Sequence, residues 1–160
     1  MLNGYDDGDF RPNNNITREE FVKIIVSAFG FDGEQSGCDF GDMPDRHWAY
    51  EYICTAKARG LINGISGSMF GTGQNITRQD MAVIIYNALN AVGISSDKPD
   101  SDIFSDESTV AEYAKAAVHS LKAADIISGY DDGSFRPENN ATRAEAAQMI
   151  YNVLKYAGRI

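Results

Sequence analysis

Apolar residues recur with helical spacing in three stretches of the chain. In each stretch they fall at positions i, i+3, i+4, i+7 and i+8, which places them on one face of an α-helix. The pattern therefore predicts three amphipathic helices, each with one buried face. These residues are Phe21, Ile24, Ile25, Ala28 and Phe29; Met81, Ile84, Ile85, Ala88 and Leu89; and Ala146, Met149, Ile150, Val153 and Leu154.

Each predicted helix begins with a Thr-Arg pair that is followed by an acidic residue. In a capping box the threonine oxygen accepts the N3 amide proton, and an acid at N3 reaches back to the cap amide. A glycine stands where each apolar pattern stops, as expected at a helix C-terminus. The threonine and acid pairs are Thr17 and Glu20, Thr77 and Asp80, and Thr142 and Glu145; the glycines are Gly30, Gly93 and Gly158.

Two further amphipathic patterns precede the second and third of these helices. Each follows a turn that consists of an aromatic residue, a small residue and an aspartate, and no such pattern precedes the first helix. When the two patterns are aligned, Trp48 corresponds to Tyr113. Their apolar positions are Ala49, Tyr52, Ile53 and Ala56 in one, and Ala114, Ala117, Val118 and Leu121 in the other.

Together these patterns form an internal repeat. Gly4, Gly64 and Gly129 each stand 13 positions before the threonine of a Thr-Arg pair. The chain is therefore expected to contain the second half of one repeat (1–31) and two full helix-loop-helix repeats (38–93 and 102–158). No repeat is large enough to bury its helical face alone, so we expect one cooperative, all-α unit.

Composition and charge exclude several classes of protein. The chain has a net charge of -9, whereas nucleic-acid binding needs a basic field, and no apolar run approaches the length that spans a bilayer. The first residues do not resemble a signal peptide, so any export signal is expected outside this sequence. Cys38 and Cys54 do not indicate a disulfide framework; two buried or incidental thiols are expected, and a Cys38–Cys54 bridge is the alternative.

The motifs resemble those of the S-layer homology family. The likeness rests on "ITREEF", "ITRQDM" and "ATRAEA", on "GLINGI" and "DIISGY", and on "GYDDGSFRPENNATRAEAA", and it covers nearly the whole chain. It implies a pseudo-threefold spindle around a central three-helix bundle, with ligand grooves between the repeats. It also implies non-covalent anchoring to a secondary cell-wall polysaccharide that carries a pyruvate ketal, and a fused or associated surface protein as passenger.

The same resemblance implies a set of ligand-binding residues. The arginines of the Thr-Arg pairs would engage the ketal carboxylate, the turn glycines would line the grooves, and Trp48 would form an aromatic wall. Independently, an arginine at N1 can project outward beside unpaired amide protons at the positive end of the helix dipole. The expected residues are Arg18, Arg78, Arg143, Gly4, Gly64, Gly129, Trp48 and Tyr130.

Several alternatives stay open at this point. The arginines could instead pair with acids such as Glu19 and Asp80, Trp48 could be a packing residue, and Tyr130 could pack at its loop edge. A protein-interaction or self-assembly module of the cell surface, completed by a second copy of the chain, is the alternative function. The sequence shows no catalytic constellation, no metal-binding spacing and no cofactor motif.

Overall fold

The computed structural model describes residues 7–31, 37–95 and 104–160. These residues form five α-helices and one short 3-10 helix, and no β-sheet is present among them, so the all-α prediction is confirmed. The helices are α1 (Arg18–Phe29), α2 (Tyr50–Ala58), α3 (Arg78–Ala91), α4 (Glu112–Ala123) and α5 (Arg143–Tyr156), with the 3-10 helix at Glu107–Thr109.

The helices that follow the Thr-Arg pairs start as the sequence predicts. Thr17 and Thr142 accept the N3 amide proton while Glu20 and Glu145 bond back to the cap amide, so both capping boxes are formed. Thr77 accepts a hydrogen bond from the Asp80 amide. The residues of each apolar stripe are buried in one continuous core, as the spacing predicts, except Ala28, which is partly buried against it.

The residues just before α1, α3 and α5 meet in a closed ring of backbone hydrogen bonds. The Ile76 amide donates to the Ile16 carbonyl at 3.1 Å, Ala141 donates to Ile76 at 2.9 Å, and Ile16 donates to Ala141 at 3.0 Å. Each repeat thus donates to one neighbour and accepts from the other. This cyclic arrangement gives the three helix starts a pseudo-threefold relation, whereas the full spindle and its central bundle stay a prediction.

The shorter helices pack on the longer ones in matching pairs. Helix α2 packs on α1, and α4 packs on α3. Helix α5 contacts α1 but has no comparable covering helix in the described part of the chain. Helices α1 and α3 are therefore each covered by a shorter helix, whereas α5 is not covered in this way among these residues.

An aspartate fixes the loop that precedes each of the second and third Thr-Arg helices. The Asp42 carboxylate accepts the amide protons of Phe70, Gly71 and Thr72 at 2.7, 2.7 and 2.9 Å. Asp106 accepts those of Phe135 and Arg136, both at 2.7 Å. These are the aspartates of the aromatic-Asp turns, so each turn holds the loop of its own repeat in place.

The two cysteines form a disulfide, so the expectation of two thiols is wrong and the alternative of a bridge is confirmed. Cys38 and Cys54 lie 16 positions apart in sequence, with their Cα atoms 4.9 Å apart. Cys54 lies within α2, and Cys38 precedes the first aromatic-Asp turn. The bond therefore ties the segment before this turn to the helix that follows it.

We expect Asp42→Ala to lower the free energy of unfolding by about 2 kcal/mol at pH 7, because it leaves three amide donors without their charged acceptor. Burial opposes ionisation of Asp42, but the three amides outweigh it and lower the pKa of this carboxyl. The stabilisation is therefore present above the ordinary pKa and is lost as the pH falls through the lowered value.

Urea unfolding from pH 7 down to pH 3 measures this effect, with Asp45→Ala as the control because Asp45 is exposed and has no hydrogen bond among the described residues. A cost for Asp42→Ala that stays constant down to pH 3 would contradict the assigned role of the ionised carboxylate.

Loss of the disulfide should also be measurable. Because the bond closes a loop with a sequence separation of 16, replacing both cysteines with serine should lower the free energy of unfolding by about 3 kcal/mol. Urea unfolding of Cys38→Ser/Cys54→Ser, compared with the wild-type chain under oxidising and reducing conditions, tests this. If reduction leaves the wild-type midpoint unchanged, the bond is not formed in solution.

Candidate functional site

The arginines of the Thr-Arg pairs are buried and reach across to the next repeat. Arg18 donates from Nε to the Phe70 carbonyl at 3.1 Å, and its Nη1 lies 2.6 Å from Asp80 Oδ2. The relative exposures of Arg18, Arg78 and Arg143 are only 6%, 3% and 5%. The other two repeat the arrangement: Arg78 with Phe135 and Glu145, and Arg143 with Phe10 and Glu20.

The expectation that these side chains project outward beside unpaired amides is therefore wrong. The Arg18, Arg78 and Arg143 amides donate to carbonyls of the neighbouring repeat at 2.9, 3.0 and 2.8 Å. The acceptors are Gln74, Asn139 and Asn14. The helix starts already have hydrogen-bond partners, so their amides are not an open anion site.

The predicted alternative of pairing with an acid is correct for Asp80 but not for Glu19. Glu19 accepts the amide proton of Gly73 at 3.1 Å instead. In all three repeats the partner is the N3 acid of the neighbouring Thr-Arg helix. These acids thus serve both as helix caps and as counter-ions for an arginine.

A groove opens between α3 and α4 and brings together several of the predicted residues. It encloses about 110 Å³. Arg18, Gly64 and Asp80 line it, with Tyr113 at its edge. Leu61, Ile62, Asn63, Val83, Ile84 and Asn87 complete the lining.

One of the three guanidinium nitrogens of Arg18 is not hydrogen-bonded within the described part of the chain. Nε and Nη1 are hydrogen-bonded, whereas Nη2 has no partner among the described residues. The equivalent nitrogen of Arg78 contacts the Ser128 carbonyl at 3.4 Å. Arg18 therefore lines the groove with a fixed guanidinium whose Nη2 has no acceptor among these residues.

Gly64 lines the groove, and Gly129 occupies the equivalent turn of the third repeat. A Cβ on Gly64 would lie 2.4 Å from the Met69 carbonyl oxygen, and Gly64 has a left-handed φ of +83°. A Cβ on Gly129 would lie 2.6 Å from the Ser134 carbonyl oxygen. Both positions therefore exclude a side chain, and the turn at Gly64 borders the groove with its backbone. Gly4, the third predicted glycine, lies outside the described residues.

A tyrosine hydroxyl donates a hydrogen bond to the N3 acid in two of the repeats. Tyr113 donates to Asp80 at 2.7 Å, and Tyr130 donates to Glu145 at 2.5 Å. Partial burial, together with the Asp80 carboxylate, raises the pKa of the Tyr113 hydroxyl, so it stays a donor. Burial raises the pKa of Glu145, but the Thr142 amide, Tyr130 and Arg78 outweigh it and the pKa is lowered.

Tyr130 and Trp48 occupy different environments from each other. The guanidinium carbon of Arg78 lies 4.8 Å from the centroid of the Tyr130 ring. The Tyr130 hydroxyl already donates to Glu145. Trp48 is 53% exposed just before α2, so it is not a core residue. Its ring centroid lies 5.5 Å from that of His47, so packing at the helix start stays an alternative and the aromatic wall stays a prediction. Tyr130 is an internal partner of the Arg78 pair.

The acidic loops form hydrogen-bonded turns. Asp132 accepts the Ser134 amide proton at 2.9 Å and pairs with Arg136 at 2.9 Å; Asp7 pairs with Arg11 in the equivalent loop. Among residues 7–31, 37–95 and 104–160 no group of three acidic, histidine or cysteine side chains is arranged for a metal ion. Over the same residues, no helix has the length and apolar character needed to cross a bilayer.

Sequence reasoning missed two side-chain contacts. Tyr113 was aligned with Trp48 but was not expected to bond to an acid. Lys23 gave no signal in the sequence, although its ammonium lies 5.5 Å from the Trp48 ring centroid.

Comparison with known proteins places this geometry in a family. Residues 2–22, 39–82 and 103–147 match the S-layer homology domain. "Cell surface glycoprotein 1" of Acetivibrio thermocellus is 36% identical, over 96% of this chain and 7% of its own length. "Amylopullulanase" of Thermoanaerobacterium thermosulfurigenes is 29% identical, over 100% and 9%. "Cellulosome-anchoring protein" of Acetivibrio thermocellus is 31% identical, over 97% and 35%.

The chain therefore spans about a third or less of the length of these relatives. The match covers most of the repeats that the structure arranges around the closed hydrogen-bond ring. The chain belongs to the S-layer homology domain family.

Proposed function

We propose that this chain is a non-covalent anchor that binds an acidic secondary cell-wall polysaccharide through the carboxylate of a pyruvate ketal. Its location is the bacterial cell surface, as the family and its cell-surface relatives indicate. The passenger is a fused or associated surface protein. The anchoring chain itself needs no cofactor and performs no catalysis in this proposal.

The observation that carries the proposal is the groove at Arg18. The buried guanidinium of Arg18 is held by the Phe70 carbonyl and the Asp80 carboxylate. It lines the groove together with the side chains of Asn63, Asn87 and Tyr113. A guanidinium donates well to a carboxylate, and the exposed Tyr113 ring can contact a sugar face. These are the features expected of a site for a sugar that bears a carboxylate.

The pairing of Arg18 with Asp80 limits the strength of any one groove. Because Asp80 neutralises much of the positive charge, a ligand carboxylate gains less than it would from an isolated arginine. Tight anchoring then requires contacts with the sugar, or several grooves engaged by one polymer. A repeating polysaccharide offers such multiple attachment.

The relatives support an anchor rather than an enzyme. The same segment occurs in proteins named as a surface glycoprotein, an amylopullulanase and a cellulosome-anchoring protein, and it covers 9% of the amylopullulanase. A module shared by proteins with such different names is better explained by a common location than by a common substrate.

A self-assembly role is the second candidate, and the face of α5 favours it. Ala144 and Tyr151 are exposed on α5, whereas the matching residues of α3, Gln79 and Tyr86, are buried and half-buried. A second copy of the chain could cover this face. The same family fold would then serve association between protein chains.

Binding should depend on both the ketal and an arginine. We expect calorimetric titration with purified wall polysaccharide to show binding that weakens by more than about tenfold when the pyruvate is removed, as for the loss of a charged hydrogen bond. One of Arg18→Lys, Arg78→Lys and Arg143→Lys should show the same loss, because lysine lacks the guanidinium fork.

Each lysine variant is first checked for folding by thermal unfolding, since all three arginines also join neighbouring repeats. A stripped polysaccharide that binds as well as the native one would refute the ketal specificity. Three folded variants with unchanged affinity would refute the role of the arginines.

Self-association makes a separate prediction. If α5 docks a second copy, light scattering should give a mass above that of one chain, and Tyr151→Lys should return it to the monomer because a buried charge is costly. Asn90→Lys, at an exposed position near the end of α3, is the matched control. A monomer at all concentrations would remove this candidate and leave the anchor.

A further inference from the structure

The groove between α3 and α4 contains an asparagine that is followed directly by a glycine. Asn63 and Gly64 both line this groove, and Asn63 is exposed. The carboxamide of Asn63 makes no hydrogen bond with any described residue, and the backbone amide of Gly64 makes none either. Two groups that are neighbours along the chain are therefore both without a partner in the part of the protein that the structure describes.

Deamidation is the reaction that joins these two groups. Asparagine is a thermolabile residue, and a following glycine has no side chain to hinder the approach to its backbone nitrogen. After it loses its proton to hydroxide, the Gly64 nitrogen attacks Cγ of Asn63, and the side-chain nitrogen leaves as ammonia. Water then opens the resulting succinimide ring at Cγ to give aspartate, or at the backbone carbonyl to give isoaspartate. One water is consumed and one ammonia is released, without any change of oxidation state.

The second asparagine of this groove is protected from this reaction. Asn87 lies within α3, its carboxamide donates to the Leu61 carbonyl at 3.1 Å, and the next residue is Ala88. Inside a helix the backbone amide that would have to attack is already hydrogen-bonded. The third repeat has Ser128 at the position of Asn63, so the same turn forms there without a reactive carboxamide.

Deamidation at this position changes the charge of the groove. The charged residues that line it are Arg18 and Asp80, whose side chains pair at 2.6 Å. A carboxylate at position 63 adds a second acid to this pair, so the balance of one cation and one acid becomes a net negative charge. A negative groove repels an anionic ligand. The new acid also lies in the same groove as Arg18 Nη2, which has no acceptor among the described residues.

The isoaspartate product also lengthens a tightly packed turn. It adds one methylene group to the backbone directly before Gly64. At Gly64 a Cβ would already lie 2.4 Å from the Met69 carbonyl oxygen, and the Ile65 amide donates to the same oxygen at 2.9 Å. Because this turn has no room for extra atoms, a longer backbone must displace it. Both products therefore alter the same groove.

We propose that Asn63 is a site of spontaneous deamidation, and that its products weaken the binding of an acidic ligand in the groove at Arg18 as the protein ages. The modification depends on this chain alone, whereas its effect on binding rests on the proposed function. The change is slow and runs in one direction, because the released ammonia is lost. The third repeat is not subject to it, since Ser128 replaces the asparagine.

Peptide masses resolved by site test the modification. The folded chain is kept in alkaline buffer at a raised temperature below its unfolding transition, and is then digested at mildly acidic pH. We expect the peptide that contains Asn63 to gain one dalton and to separate into two isomers, of which one is methylated by an isoaspartate methyltransferase. The peptide that contains Asn87 should keep its mass, and Asn63→Ser should abolish the gain at this site.

A second Asn-Gly step occurs at Asn3, so the mass of the whole chain is not sufficient and the peptides are needed. If the Asn63 peptide gains mass no faster than the Asn87 peptide, Asn63 is not the modified site and the inference is wrong.

Calorimetry with purified pyruvylated wall polysaccharide tests the effect on binding. Asn63→Asp should bind about fivefold more weakly than the wild-type chain, as for one added like charge near the ligand in a solvated site. Asn63→Ser is the matched control, because it carries the residue of the third repeat, and should bind like the wild-type chain. Thermal unfolding confirms that both variants are folded.

Equal affinities of Asn63→Asp and the wild-type chain would overturn the effect on the groove while leaving the anchor intact. Absence of any binding by the wild-type chain would overturn the proposed function together with this effect. The peptide masses decide the modification in either case.

Discussion

Three backbone hydrogen bonds, joined head to tail among Ile16, Ile76 and Ala141, hold the starts of α1, α3 and α5 together. Each of these residues donates to one repeat and accepts from the other, so none of the three contacts is local. The amides at the following helix starts are then satisfied by carbonyls of a neighbouring repeat. Because buried amides need such partners, the ring and the helix starts depend on one another. For this reason we expect the repeats to unfold as one cooperative unit.

The same head-to-tail relation between repeats determines which residues the arginines contact. Each extends into the adjacent repeat, where a loop carbonyl and the capping acid fix its guanidinium. In the proposed function, an arginine held in this way would lose little conformational freedom when a ligand binds. Its positive charge is partly neutralised by the acid. The surroundings of this arginine–acid pair differ between repeats, as at Asp80, to which Tyr113 also donates.

The sequence was sufficient for features that depend on neighbours along the chain. Apolar spacing and the capping boxes at Thr17 and Thr142 predict helices that the structure contains. It was insufficient where the partner is distant: Arg18 and Asp80 are separated by 62 positions, and Arg143 and Phe10 by 133. No local pattern reveals which acid faces which arginine. The disulfide could not be predicted for the same reason, because the positions of two cysteines in the sequence do not give their distance in space.

A ring of three identical contacts is complete, and this sets it apart from an open stack of repeats. In a stack the last unit presents the same surface that the first unit accepts, so units can be added or lost one at a time. Here the third unit donates back to the first, so all three amide donors of the ring are used within the chain. A fourth repeat could enter this ring only by breaking one of its three hydrogen bonds. A set of two repeats would leave at least one of these amides without its acceptor in the ring.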